Sequence, residues 1–198
     1  MRRCSTAVIR LSLVTILLLC TQKPLLATEW NPDAIPKNLP SFLLGFAGGI
    51  AIHEMGHMAV ASAEGYRVGY DGLSLVYSPQ FASRSDWLRV STAGFQAQWL
   101  ATEAAFYYRE KAPDLAIGVI SSHIAITAAY LTFLKNNPQG DTVGASRASG
   151  LSTNQLILAA AVPALLDGWR LFGTDIPAWV APLSIGFKGG CMTAIWAY

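Results

Sequence analysis

The sequence predicts an all-α protein: a polytopic membrane helix bundle of four to six helices with a small β-hairpin after its first long helix. Two observations predict it. Hydrophobic residues make up 53% of the 198-residue chain and charged residues 13%, against roughly 25% charged in an ordinary soluble domain. The apolar residues are also gathered into long segments, several of which approach or exceed the about 20 residues that cross a bilayer.

The apolar segments follow one another along the chain from residue 41 onward. They cover approximately 41–63, 87–108, 115–134, 156–172 and 176–198. Residues 135–154 are rich in Asn, Gly, Ser and Thr, which predicts an exposed connection containing at most a short helix. Residues 65–85 alternate in character on either side of Asp71-Gly72, which predicts a hairpin with a tight turn. We therefore expect one membrane-embedded domain over residues 39–198.

The first 27 residues have the layout of a signal peptide or a short N-terminal membrane anchor. Arg2 and Arg3 precede an apolar stretch from Leu11 to Cys20, and Pro24 follows. This order of charge, apolar core and helix breaker is typical of a secretory signal.

Charge and cysteine content exclude other classes of protein. The formal net charge of +2 is small and dispersed, with no cluster of Lys and Arg, so no nucleic-acid partner is expected. Cys4, Cys20 and Cys191 lie far apart, and none forms the Cys-x-x-Cys pair used for metals or redox work.

The first apolar segment contains the motif His53-Glu54-Met55-Gly56-His57. On a helix, histidines four residues apart lie on one face and can hold a single Zn²⁺ ion, while Glu54 is placed as general base towards the attacking water. An ionisable residue in a spanning helix costs about 2.5–3.5 kcal/mol, so three together need a compensating partner such as a metal. The alternative interpretation is that the three polar side chains solvate each other.

Apolar and small residues surround this motif on all faces of the predicted helix, unlike the amphipathic motif helix of a soluble zincin. They include Leu43, Leu44, Phe46, Ala47, Ile50, Ile52, Met58 and Val60. Gly45, Gly48, Gly49 and Gly56 in the same segment are expected to allow close helix packing.

The chain resembles the site-2 protease family of intramembrane zinc metallopeptidases over residues 39–172. The resemblance is carried by the motif in its spanning helix, the small residues that follow it, the hairpin, Ala93–Gln98 and Leu166–Arg170. Phe95 and Gln98 stand where the family has Pro and Asn, and Ala159 stands where it has the Asn eight residues before its Asp. The pattern resembles a divergent member.

The resemblance implies a zinc metalloendopeptidase that cleaves membrane-spanning or membrane-anchored protein substrates within the lipid bilayer. It implies a multi-pass integral membrane protein, which we place in the bacterial cytoplasmic membrane. We expect the hairpin from Tyr66 to Tyr77 to hold substrate as an added strand. The competing hypotheses are a non-catalytic membrane protein with a structural or metal-handling zinc site, and a secreted soluble zincin.

Zinc held by two histidines needs a third protein ligand, and two aspartates compete for that role. The resemblance assigns Asp167, an acid in an otherwise apolar helix, although Asp167 could instead pair with Arg170. Asp141 follows the third apolar segment, which by alternation of helix direction runs parallel to the motif helix, as the ligand helix does in the family. We favour Asp167, because an acid embedded in a membrane needs a metal more than a loop acid does.

Further polar residues lie in the second and third apolar segments. Glu103 and His123 are ionisable, and for His123 an interior hydrogen-bonded histidine is favoured over a ligand, with transition-state stabilisation as its functional role. Gln96 and Gln98 are expected to hydrogen-bond either the motif helix or the substrate, and Gln98 is the stronger candidate for the substrate or the transition state.

Overall fold

The computed structural model describes residues 31–72 and 74–198, so the expected signal peptide or anchor over residues 1–27 lies outside the described residues. Six α-helices and a two-stranded antiparallel sheet make up most of the described part. The helices are α1 (Leu39–Ala63), α2 (Arg84–Tyr108), α3 (Pro113–Ala129), α4 (Asp141–Ser149), α5 (Thr153–Phe172) and α6 (Val180–Trp196). A helical fold with a small hairpin is confirmed.

The hairpin lies between α1 and α2, as the sequence predicts. Strands β1 (Arg67–Asp71) and β2 (Ser74–Ser78) pair with Asp71 opposite Ser74. Gly72 has a φ of +61°, a left-handed conformation that glycine adopts without a steric penalty. The predicted tight turn at Asp71-Gly72 is confirmed.

Side-chain caps explain where several helices begin. The Asn38 side chain accepts a hydrogen bond from the Ser41 backbone N–H at the start of α1, and Ser83 does the same for Asp86 at the start of α2. Ser152 begins α5 with a full capping box. Each cap satisfies a backbone N–H that the first helical turn leaves without a partner.

Helix α1 packs closely against α2 and α3, and its glycines explain the approach. A Cβ on Gly45 or Gly49 would overlap α3, and a Cβ on Gly56 would overlap α2. The expectation of close packing is confirmed at these three positions. It is wrong at Gly48, where an added Cβ would meet nothing within 4 Å.

Two helical stretches in the described residues are long and apolar enough to cross a membrane: Pro113–Leu134 and Thr153–Phe172. The sequence led us to expect a membrane bundle of four to six helices. Charged and polar side chains lower the hydropathy of α2 although it has 25 residues, and in α1 the apolar sequence is interrupted by His53, Glu54 and His57. Helix α6 has 17 residues, fewer than the about 20 that cross a bilayer. A buried core helix of a soluble protein meets the same criterion, so these two stretches by themselves establish only length and composition.

Candidate metal centre

The two motif histidines lie on the buried face of α1. The buried residues of this helix recur every four positions: Gly45, Gly49, His53, His57 and Ala61. Each imidazole side chain is 3–4% exposed. Residues four apart share one face of a helix, so the small residues let α2 and α3 close around the imidazoles. Glu54 lies off this stripe and is exposed.

Three donor atoms converge beside α1. The Nε2 atoms of His53 and His57 are 3.3 Å apart. Asp141 Oδ2 lies 3.0 Å from the first and 3.2 Å from the second. These three residues are the one group of three or more His, Cys, Asp or Glu in the described part of the chain whose ligand atoms come within 4.8 Å of one another.

Hydrogen bonds on the far side of each ring set the imidazole tautomers. His57 Nδ1 lies 2.7 Å from the Val90 carbonyl oxygen, which can only accept, so Nδ1 carries the proton. His53 Nδ1 lies 3.2 Å from Gln98 Oε1, and the Gln98 amide is oriented because its NH₂ donates to the Gly49 carbonyl oxygen. Neutral rings in these tautomers present both Nε2 lone pairs to Asp141.

Two nitrogen lone pairs and a carboxylate oxygen facing one another repel unless a proton or a metal cation lies among them. Zinc bonds of about 2.0–2.1 Å in tetrahedral geometry place neighbouring ligand atoms roughly 3.3–3.4 Å apart. The three observed separations, 3.0, 3.2 and 3.3 Å, are close to that value. The arrangement therefore fits a single small metal ion held by three protein ligands.

Asp141 is brought to the histidines by the connection between α3 and α4. It is the first residue of α4, where a carboxylate interacts favourably with the helix dipole. The Gly140 N–H donates to the Asn137 carbonyl, and the Thr142 hydroxyl donates to the Lys135 carbonyl.

Helix α2 supports the imidazoles from the opposite side. A Cβ on Gly94 would lie 2.6 Å from His53 Nε2 and would also overlap His57, so only glycine leaves room for both rings. The Phe95 ring packs edge-on against His53, with the ring centroids 5.3 Å apart. The segment Ala93–Gln98 therefore contributes space, an aromatic contact and a hydrogen bond to the site.

The structure corrects our preference for Asp167. Its carboxylate is fully buried in a separate ion cluster, where Lys188 donates at 2.7 Å, Ser184 at 2.8 Å and Arg170 at 3.2 Å. Both cations also pair with Glu103. Asp167 is thus neutralised by protein cations. The alternative pairing with Arg170 is observed, and Lys188 is a second cation that was not predicted.

Among the further candidates, His123 is interior and outside the metal-ligand group, in agreement with the favoured interpretation, and Gln98 contacts the motif helix, one of its two predicted partners. His123 is fully buried beside the ion cluster, with Nδ1 3.2 Å from Asp167 Oδ2, and it is not part of the metal-ligand group. Gln98 is 1% exposed and lies behind His53, so it contacts the motif helix and is enclosed away from any substrate. Gln96 bonds Thr92 and Trp196.

Two tyrosines were not predicted as individual site residues: Tyr130, and Tyr77, which was expected only as part of the substrate-holding hairpin. The Tyr130 hydroxyl donates to Asp141 Oδ2 at 2.8 Å. Burial, and then the Asp141 and Glu54 carboxylates, raise the pKa of the Tyr77 hydroxyl above its usual value. An open groove beside β2 is lined by Tyr77, Gln80, Phe81 and Trp87. No local sequence signal marks either tyrosine, because both reach the site through tertiary packing.

Comparison with known proteins assigns no family to this arrangement. No protein-family model matches the chain, and no curated protein and no solved structure matches it significantly.

Proposed function

We propose that this protein is a membrane-embedded zinc metalloendopeptidase acting on membrane-spanning or membrane-anchored proteins. The observation that carries the proposal is the convergence of His53 Nε2, His57 Nε2 and Asp141 Oδ2 on one point, with the Glu54 carboxylate next to them in the chain. Two imidazoles and one carboxylate are a common ligand set for zinc.

The number of ligands favours catalysis over a purely structural role. Structural zinc sites are closed by four protein ligands, whereas catalytic sites use three and leave a position for water. The described residues supply three, with hydrogen-bond partners behind both imidazoles. Such outer partners orient the ligands and raise their basicity.

Each residue then has a defined task. Zinc, when bound, lowers the pKa of a water molecule to about 7 and polarises a carbonyl oxygen. Glu54 accepts the proton of the attacking water and delivers it to the nitrogen of the leaving amine as the C–N bond breaks. Glu54 is suited to this task because it is exposed and accepts no hydrogen bond from any described residue. One water is consumed for each peptide bond.

The distribution of polar and apolar surface supports placement in a bilayer. Large apolar side chains on the helices face outward, with Leu44 at 68%, Leu158 at 61% and Leu165 at 73% exposure. Polar and charged side chains are buried instead: His53, His57, Ser91, Gln96, Gln98, Thr102, Ser122, His123, Thr127, Thr142, Asp167, Ser184 and Lys188. Interior polar residues surrounded by an apolar exterior are expected where lipid replaces water. For the bilayer itself we propose the bacterial cytoplasmic membrane.

Hairpin β1–β2 is proposed as the element that holds substrate. An exposed strand edge can pair with an extended segment through main-chain hydrogen bonds. A spanning helix must unwind before its peptide bonds are accessible, and edge pairing compensates the backbone groups that unwinding frees. The open groove beside β2, lined by Tyr77, Gln80, Phe81 and Trp87, supports this location.

A second function, a structural or metal-handling zinc site without catalysis, is favoured by the deep burial of both imidazoles. The variant Glu54→Gln separates the two functions. A non-catalytic site gains nothing from this carboxylate, whereas a hydrolase loses its general base.

The experiment uses the full chain purified in detergent, with zinc content and cleavage of a fluorogenic peptide library measured on the same preparation. We expect about one zinc per chain in both wild type and Glu54→Gln, with turnover reduced by about 10²–10⁴-fold in the variant. Glu110→Gln, an exposed acid in the α2–α3 connection, is the matched control and should behave as wild type. Near-normal turnover in Glu54→Gln, or a metal-free wild type that cleaves peptide, would refute the proposal.

A further inference from the structure

Tyr130 contacts the proposed metal centre at the ligand oxygen itself. Its hydroxyl donates at 2.8 Å to Asp141 Oδ2, the same oxygen that faces His53 Nε2 and His57 Nε2. The tyrosine side chain is buried. Asp141 Oδ1 accepts no hydrogen bond from the described residues, so all the contacts of this carboxylate fall on one of its two oxygens.

The backbone that carries Tyr130 departs from the regular α-helix. Helix α3 ends at Ala129, and residues Tyr130–Leu134 continue as one π-helical turn. Such a turn contains an extra residue, changes the direction of the side chains and is frequent at functional sites. The Tyr130 ring packs edge-on against Phe95, with the centroids 5.2 Å apart. The phenol is therefore held on two sides, by an aromatic ring and by a carboxylate.

We propose that Tyr130 is a positioning residue that makes Asp141 a one-oxygen metal ligand. Its hydrogen bond occupies one lone pair of Oδ2 and keeps that oxygen turned towards the imidazoles, leaving the other lone pair for the metal. Without this bond the carboxylate can rotate and offer both oxygens. A second carboxylate oxygen would take the position that the attacking water needs. This inference rests on the proposed function of the site.

A purely structural role for Tyr130 leads to a different expected result for the variant Tyr130→Phe. If the side chain only fills the core and satisfies its own hydroxyl, then Tyr130→Phe, which keeps the ring on Phe95, changes neither metal affinity nor coordination. The same substitution removes the contact to Oδ2 that positioning requires. Metal affinity and coordination number therefore separate the two roles, which activity alone does not.

The test compares wild type, Tyr130→Phe and Tyr107→Phe as full-length protein in detergent. Tyr107 is 80% exposed, so Tyr107→Phe removes a tyrosine hydroxyl at an exposed position and is the matched control. Zinc affinity is measured by chelator competition, coordination by visible absorption of the cobalt(II)-substituted protein, and kcat and KM with the peptide library. We expect Tyr130→Phe to bind zinc about 10–100-fold more weakly, to give weaker cobalt bands from a higher coordination number, and to lose kcat at a similar KM.

The Asp141→Ala background supplies a second measurement, because alanine offers no acceptor to the Tyr130 hydroxyl. If the hydroxyl acts through Asp141, adding Tyr130→Phe to Asp141→Ala causes no further loss of affinity; a fully additive loss overturns the inference. A Tyr130→Phe protein with wild-type affinity and an unchanged cobalt spectrum also overturns it while leaving the metal centre intact. A wild-type protein that takes up no zinc refutes the centre itself, and the role of Tyr130 with it.

Discussion

The assignment of the third ligand predicts opposite outcomes for two aspartate substitutions. Asp141→Ala removes the carboxylate that faces both imidazoles, and Asp167→Ala removes a carboxylate that faces Lys188, Ser184 and Arg170. We expect the first variant to lose zinc and remain folded. We expect the second to keep zinc affinity in its folded fraction and to lose stability.

The magnitudes follow from the two environments. Loss of an outer-shell partner alone reduces metal affinity about 10–100-fold, so loss of the ligand should exceed about 100-fold. The stability cost of Asp141→Ala is the orphaned Tyr130 hydroxyl, about 1–3 kcal/mol. Asp167 is fully buried, and its removal leaves two cations sharing Glu103. Breaking a buried ion pair in this way costs about 3–5 kcal/mol.

Both quantities are measured on protein purified in detergent: zinc affinity by chelator competition, and the free energy of unfolding of the metal-free protein by denaturant titration. Asp175→Ala, which removes an exposed acid after α5, is the control and should change neither quantity. If Asp167→Ala releases zinc from folded protein while Asp141→Ala retains it, the geometric assignment is refuted and Asp167 is the ligand. If neither changes zinc content, the metal lies elsewhere.

Two smaller substitutions test how α2 supports the imidazoles. Gly94→Ala should weaken zinc binding by at least about tenfold, because the new Cβ would lie 2.6 Å from an imidazole nitrogen. Gly48→Ala, whose new Cβ meets nothing within 4 Å, is the control and should leave zinc binding unchanged. Equal effects of the two substitutions would contradict a role of Gly94 in making room for the imidazoles. Gln98→Leu should weaken zinc binding about 10–100-fold by leaving an imidazole N–H without its acceptor. Gln96 bonds Thr92 and Trp196, away from the imidazoles, so Gln96→Leu should leave zinc affinity unchanged. Zinc affinity is measured by chelator competition for all four variants.

The error over Asp167 shows where sequence reasoning reached its limit. An acid in an apolar helix needs a compensating partner, and the structure supplies one for Asp167. The partner is Lys188 in α6, 21 positions further along the chain, and it is not a metal. Local sequence shows that a charge must be paired, but the identity of the partner depends on which helices meet.

The supporting residues illustrate the same limit. Gln98 was expected to contact either the motif helix or the substrate, and packing of α2 against α1 places it behind His53. Tyr130 carried no motif and reaches Asp141 through a single π-helical turn. A change of one residue in helical phase rotates every following side chain by about 100°, and no pattern in this segment indicated that change.

The sequence by itself determined the helical segments, the hairpin and its turn, and the pair of histidines with an adjacent glutamate. These features depend on residues within a few positions of one another, through helix periodicity, glycine conformation and the four-residue spacing of one helix face. Only the tertiary structure decided that Asp141 faces the histidines, that Asp167 joins Glu103, Arg170 and Lys188, and that Val90 and Gln98 set the tautomers. The contacts of the metal centre join residues 33 to 88 positions apart, and Asp167 reaches Lys188 across 21 positions. Which of these contacts form depends on how the helices pack.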